Sequence, residues 1–167
     1  TFTPNQWFLQ FGGLLCTALV LWPNQILGHD YGKIPLLFAF WVLVPFAASA
    51  VPNLGFVVQL GRWVAPAALS ASVALGMEAG FWAGLLATPW LLFCLALGWL
   101  GRKADWTTAI GCLYLIVGGS WFWADRAGLN PLGFDDAIVR LTALHFHYAG
   151  FALPLLCGLM VRTKTGN

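Results

Sequence analysis

The sequence predicts an all-α membrane protein: a six-helix transmembrane bundle forming one polytopic domain over residues 1–167. Three observations carry that expectation. Apolar residues make up 60% of the chain and charged residues only 8%, against roughly 25% charged in an ordinary soluble domain. A soluble chain of this size buries about 68 to 70% of its unfolded surface, so this composition would leave large apolar patches facing water. Ten tryptophans help bring the aromatic share to 16%, and Trp and Tyr collect where lipid headgroups meet hydrocarbon. Finally, the apolar residues fall into six runs, each near the roughly 20 residues that cross about 30 Å of hydrocarbon as a helix.

The first run, 7–27, follows the start TFTPNQ. That start lacks a basic region and the run is long enough to span, so no cleavable signal peptide is expected. The chain does not begin with Met, as expected of a trimmed chain or part of a longer one. The second run, 34–51, opens at Pro35, where a missing N–H does no harm. The third, 56–77, carries Arg62 near its start, so its hydrocarbon part counts from Trp63 while the Arg62 stem reaches for the headgroups. Only Glu78-Ala79-Gly80 separates it from the fourth, 81–100, and the two are expected to form an antiparallel helical hairpin. The fifth is 106–123 and the sixth 137–161. Between them lies ADRAGLNPLGFDD, whose Gly, Pro, Asn and Asp residues mark the longest non-helical stretch.

Pro45, Pro66, Pro89 and Pro154 fall inside four of these spans. Each removes a backbone hydrogen bond and tends to kink its helix, and the freed carbonyls need new partners in lipid. The 19 glycines allow close helix contact. Cys16, Cys94, Cys112 and Cys157 all lie in apolar runs without a CxxC pair, which suits packing and implies no disulfide framework.

Short cytoplasmic loops hold the excess of Lys and Arg. Arg62, Arg102, Lys103, Arg162 and Lys164 fall on one side; Lys33 and Arg126 fall on the other, with Arg140 just inside the last helix. Both termini are therefore expected in the cytoplasm, with the protein multi-pass in the cell membrane. Asp30, Glu78, Asp125, Asp135 and Asp136 gather at the opposite ends, leaving Asp105 inside. That segregation predicts an acidic extracytoplasmic mouth. A net charge of +2 gives no reason to expect nucleic acid as a partner. Nucleotide, phosphate and serine-nucleophile motifs are absent, which argues against ATP-driven transport and the common hydrolases.

The sharpest feature is LTALHFHYAGFALP in the sixth run. At 1.5 Å per residue His145 lies roughly 12 Å in from Ala137, and ionisable groups at such depth usually face a bundle interior or a wet cavity. Successive helical residues turn by about 100°, so His145 and His147 point roughly 200° apart and cannot share one ion on a regular helix. Two stripes result: Thr142, His145, Tyr148 and Ala152 on one face, and Asp136, Arg140, His147 and Phe151 on another. The first is expected to line a site. In the second, Asp136 is expected to pair with Arg140 while His147 finds a partner on a neighbouring helix. Plain cross-helix hydrogen bonding of buried His, Tyr and Thr is the competing explanation. His29 and Asp30, at the outer end of the first run, and Asp135 beside the last are secondary candidates for the same mouth.

The segment TALHFHYAGFALP, preceded by NPLGF and IVRL, together with TPWLLF in the fourth run, resembles the YndJ-like family of bacterial integral membrane proteins. The resemblance runs from about Leu36 to the sixth helix, with HFHYAGF as its distinctive core. Members are generally uncharacterised, so it implies a membrane fold and no catalytic list. It does single out positions matching Thr142, His145, His147, Tyr148 and Gly150.

These residues suit a His-centred polar cavity that binds or transports a small or hydrophobic ligand, with a histidine as the proton-linked group. A membrane-embedded enzyme acting on a lipid or isoprenoid is the alternative, with His145 as acid and base or as a metal ligand. A catalytic metal needs about three protein ligands, which would call on His145 and, as a further ligand, His29 or an acidic residue. Two histidines on different helices could also hold b-type haem, or the chain could be an accessory subunit. The cofactor is left unknown. The expected partners are the lipid bilayer, a small-molecule or lipid ligand, and a second copy in a homo-oligomer.

Overall fold

Runs of apolar residues this long become helices because backbone N–H and C=O groups have no water partners in hydrocarbon and must satisfy one another within the segment. A computed structural model describes residues 32–49 and 57–165, and five helices account for nearly all of them. We label them α1 (33–49), α2 (Val57–Gly76), α3 (Phe81–Gly101), α4 (Trp106–Ala127) and α5 (136–165). Each matches a predicted span. The first predicted span, with Cys16, His29 and Asp30, lies outside the described residues, so a count of six is not reached here. Phe81–Gly101, Trp106–Ala127 and Asp136–Val161 are long and apolar enough to cross a membrane, while Lys33–Ala48 and Trp63–Gly76 are shorter apolar helices.

The helices alternate in direction. One end of the bundle holds the link after α2, the end of α4 and the starts of α1, α3 and α5; we call it the Gly80 end. The other, the Arg102 end, holds the turn between α3 and α4. There Asp105 caps α4, its carboxylate accepting from the Thr108 backbone N–H at 3.3 Å and from the Thr108 hydroxyl at 2.7 Å.

The predicted loop 124–136 is shorter than expected. Ala124 to Ala127 remain helical, and α4 stops only at Gly128, whose φ of 71° is the left-handed conformation that glycine adopts freely. Leu129 N then donates to Ala124 O at 2.9 Å and Gly128 N to Asp125 O at 3.3 Å, closing the last carbonyls. Pro131–Gly133 forms one 3-10 turn before α5.

The four prolines divide into two kinds. Pro66 and Pro89 sit in helices without a break in the α pattern. Pro45 and Pro154 each follow a π-helical stretch, Ala39–Leu43 in α1 and Phe146–Ala152 in α5. A proline ring collides with the carbonyl four residues back. Widening the preceding turn to i→i+5 bonding gives that carbonyl room, so here the expected kink takes the form of a π turn.

The aromatic centre of the core lies where α1, α3, α4 and α5 meet, and α2 adds buried Val64, Ala68, Ala71 and Leu75. The Phe40 ring is 4.5 Å from Trp90, 4.8 Å from Phe122 and 5.8 Å from His147 between centroids, and all four side chains are fully buried. Edge and tilted contacts of this kind are favoured by the ring quadrupoles. α3 and α4 approach closely through glycine: a Cβ on Gly119 would stand 2.9 Å from Cys94 Cβ, and one on Gly101 would overlap Cys112. These two buried cysteines therefore serve helix contact.

Polar side chains staple neighbouring helices. Trp41 Nε1 donates to Ser72 Oγ at 2.9 Å between α1 and α2, and Ser70 Oγ to Leu86 O at 2.6 Å between α2 and α3. Trp123 Nε1 donates to Thr88 Oγ1 at 3.2 Å between α4 and α3. Such bonds contribute about 0.6 kcal/mol each in a membrane bundle. The outer face is apolar, with Phe81 and Trp82 exposed near the Gly80 end and Trp99 and Trp106 near the other. The Arg102 guanidinium lies 3.3 Å above the centre of a Trp99 ring.

Candidate functional site: a lateral groove beside His145

α5 begins at Asp135, whose carboxylate accepts from the Ile138 N–H at 2.9 Å. Asp135 is thus a helix cap, and Asp136 lies exposed in the first turn. From there the helix presents two faces, as its sequence requires.

One face, with α1, walls a groove of about 920 Å³ that opens sideways from the bundle. α1 supplies Ile34, Pro35 and Phe38; α5 supplies Ile138, Leu141, Thr142, Leu144, His145, Tyr148 and Ala149. The two helices are tied across its floor by the Tyr148 hydroxyl, which donates to the Pro35 carbonyl at 2.9 Å. Thr142 Oγ1 donates to Ile138 O at 2.8 Å and keeps lone pairs to accept with. The exposed His145 ring meets Phe146 edge-on at 5.4 Å, and its nitrogens make no hydrogen bond among the described residues. Three of the expected site residues, Thr142, His145 and Tyr148, therefore share one groove.

The fourth does not. His147 is fully buried on the opposite face, where its Nδ1 lies 2.7 Å from Ala143 O and its Nε2 3.1 Å from Trp90 Nε1. An indole N–H can only donate and a carbonyl can only accept, so Nδ1 carries the proton and Nε2 is the acceptor. With both nitrogens engaged, His147 is not available as an iron or metal ligand in this arrangement. The neighbouring-helix partner expected for it is Trp90, from TPWLLF in α3.

Two expectations need correction. Ala152 was expected beside Thr142, His145 and Tyr148, yet it is buried, while Leu153 is 56% exposed. The π turn consumes an extra residue, so the outward position after Tyr148 falls five residues on rather than four. Arg140 was expected to pair with Asp136. Instead its guanidinium meets Asp125, NH2 lying 3.2 Å from Oδ1.

Asp125 also receives Arg126 Nε at 2.7 Å, and both of those side chains are almost wholly buried. Arg126 NH1 donates on to Met77 O at 3.1 Å, and Gly80 N donates to Arg126 O at 2.8 Å. Lys33 interacts electrostatically with the same Asp125 and Arg126. The predicted acidic mouth is therefore a mixed cluster, its central carboxylate clamped by two arginines. Sequence reasoning placed Asp125 and Arg126 in a loop. The signal that would have placed them inside is helical phase, because Leu115, Gly118, Phe122 and Asp125 follow one another at three- and four-residue steps and all are buried. His29 and Asp30 lie outside the described residues. No three His, Cys, Asp or Glu side chains gather among the described residues.

Helices throughout the described residues, three of them of membrane-crossing length, with an apolar outer face and polar staples inside, make this a membrane protein. Residues 34–167 match the pattern of YndJ-like proteins, and the chain belongs to that family. It is similar to the uncharacterized membrane protein YndJ of Bacillus subtilis (strain 168), at 42% identity over 62 residues. That stretch is 37% of this chain and 11% of the relative, so the chain corresponds to a small part of the relative's length. No solved structure matches.

Proposed function

We propose that the protein is a multi-pass protein of a bacterial inner membrane, with six spans and both termini cytoplasmic, which holds a small apolar or amphiphilic ligand in the groove between α1 and α5. The observation that carries this reading is the convergence of Thr142, His145 and Tyr148 on one apolar-walled groove. Ligand sites are typically concave, mostly apolar and marked by a few convergent polar groups, with volumes of about 300 to 1,000 Å³. Exposed aromatics at both ends of α3 support the membrane placement, since Trp82 and Trp99 are 17 residues apart, which is about 26 Å along a helix.

Native mass spectrometry of the delipidated protein, mixed with a total bacterial lipid extract, tests the groove. The protein should retain small-molecule adducts, and Ala149→Trp, which fills the groove from an exposed position, should shed them. Identical adducts in both proteins would remove the groove as the binding site. Transport would add proton-linked movement of that ligand. An enzymatic reading uses the same His145 as acid and base, and a metal-dependent form needs a further ligand, His29 or an acidic residue.

A further inference from the structure

The chemistry of the groove narrows its occupant, given the reading that it binds a ligand at all. We propose that it takes an uncharged long-chain lipid whose single oxygen-bearing head, a hydroxyl or a carbonyl, rests against His145 and Thr142.

No Asp, Glu, Lys or Arg lines the groove among the described residues. Lys33, next to the groove-lining Ile34, interacts electrostatically with Asp125 and Arg126, and two further nearby cations are turned away from the groove. Arg126 is buried against Asp125 and the Met77 carbonyl. Arg140, five residues before His145 and so roughly 140° around the helix, is directed to the same Asp125. A phosphate head in the groove would therefore be desolvated with no Lys or Arg to pair with, which costs far more than burying a neutral oxygen that keeps its hydrogen bonds.

Depth gives the same answer. His145 is nine residues beyond Asp136, about 14 Å along the axis and near the middle of a hydrocarbon layer about 30 Å thick. Ionic headgroups stay at the interface, whereas an uncharged head can descend this far when its polar atom is met.

Hydrogen-bond capacity completes the match. A neutral imidazole offers one donor and one acceptor, which satisfies a hydroxyl in both senses or a carbonyl in one. Thr142 Oγ1, its proton given to Ile138 O, adds an acceptor one turn away. Phe38, Leu141, Leu144 and Ala149 then provide apolar walls for the chain.

The test uses the full chain in lipid nanodiscs with two photoreactive probes: a diazirine-tagged C20 prenyl alcohol and the same molecule as its monophosphate. The alcohol should label peptides from 33–48 and 136–152 about tenfold more than the phosphate does. His145→Leu should cut alcohol labelling by about fivefold to tenfold, the worth of one or two lost hydrogen bonds. His145→Gln, which keeps a donor and an acceptor, should retain most of it. Both substitutions are at an exposed side chain, so folding is preserved. Equal or stronger labelling by the phosphate overturns the uncharged class while leaving the groove as a lipid site. Alcohol labelling unchanged in His145→Leu overturns the placement of the head. If neither probe labels these peptides, as when residues 7–27 of this chain fill the groove themselves, the groove-binding reading falls with the inference.

Discussion

The indole N–H of Trp90 reaches the Nε2 of His147 across 3.1 Å at the centre of the bundle, joining α3 to α5 where both side chains are fully buried. His145, two residues earlier, stands exposed in the groove. One short motif thus places one histidine in the packing and another at the candidate site.

That division sets the first prediction. His147→Ala leaves the Trp90 N–H unpaired and opens a cavity, so it should destabilise the fold by about 2 to 4 kcal/mol. His147→Phe refills the space and should recover part of that loss. His145→Ala, at an exposed position, should stay within about 0.5 kcal/mol of the parent. Thermal unfolding in one detergent compares the three, and equal losses at the two histidines would refute the division of roles.

The buried carboxylate of Asp125 pairs with two guanidinium groups. Asp125→Asn keeps the shape and removes the charge, stranding Arg126 in the interior, and breaking a buried pair in this way costs about 3 to 5 kcal/mol. Arg140→Gln should cost less, because its side chain is 19% exposed and Arg126 still satisfies Asp125. Chemical denaturation orders the two variants. An Arg140→Gln variant at least as unstable as Asp125→Asn would show that Asp125 is not the centre of the cluster.

Gly118 seats His147. A Cβ there would stand 2.9 Å from Nδ1 of His147 and 3.2 Å from the Cβ of Phe146. Gly118→Ala should therefore separate α4 from α5 and destabilise the protein by about 1 to 3 kcal/mol. It should also weaken the Trp90–His147 bond, readable as a shift in Trp emission. A variant as stable as the parent with unchanged emission would mean that the contact is looser than the geometry implies.

For topology, Leu132→Cys and Lys103→Cys report on opposite ends of the bundle at exposed positions. A membrane-impermeant thiol reagent added to intact cells should label Leu132→Cys and spare Lys103→Cys, as the distribution of Lys and Arg requires. The reverse pattern would invert the proposed orientation.

The extents of the helices were legible in the sequence. The run 81–100 became Phe81–Gly101 and 34–51 became residues 33–49, because helix formation in an apolar run depends on its own length and on satisfying its own backbone. The opposition of His145 and His147 was legible for a similar reason, since the turn per residue is a property of one helix. A partner for His147 on a neighbouring helix was expected as well, but that it is Trp90 came only from the structure.

Other features depended on which helices meet. Asp136 is four residues from Arg140 and looked like its partner, but Asp125 comes from another helix, and nothing within α5 announces that it lies 3.2 Å away. Pro45 and Pro154 have the same local chemistry as Pro66 and Pro89, yet only the first two follow π turns, and the turn before Pro154 moved the outward position from Ala152 to Leu153. The groove exists only because α1 and α5 lie side by side, tied by Tyr148 to Pro35 across 113 positions of chain. By itself the sequence determined the extents of the described helices and the opposition of His145 and His147, quantities set by the length of each apolar run and by helical pitch. Only the tertiary structure decided partners and cavities, because these depend on distances of a few ångströms between segments that local periodicity cannot relate.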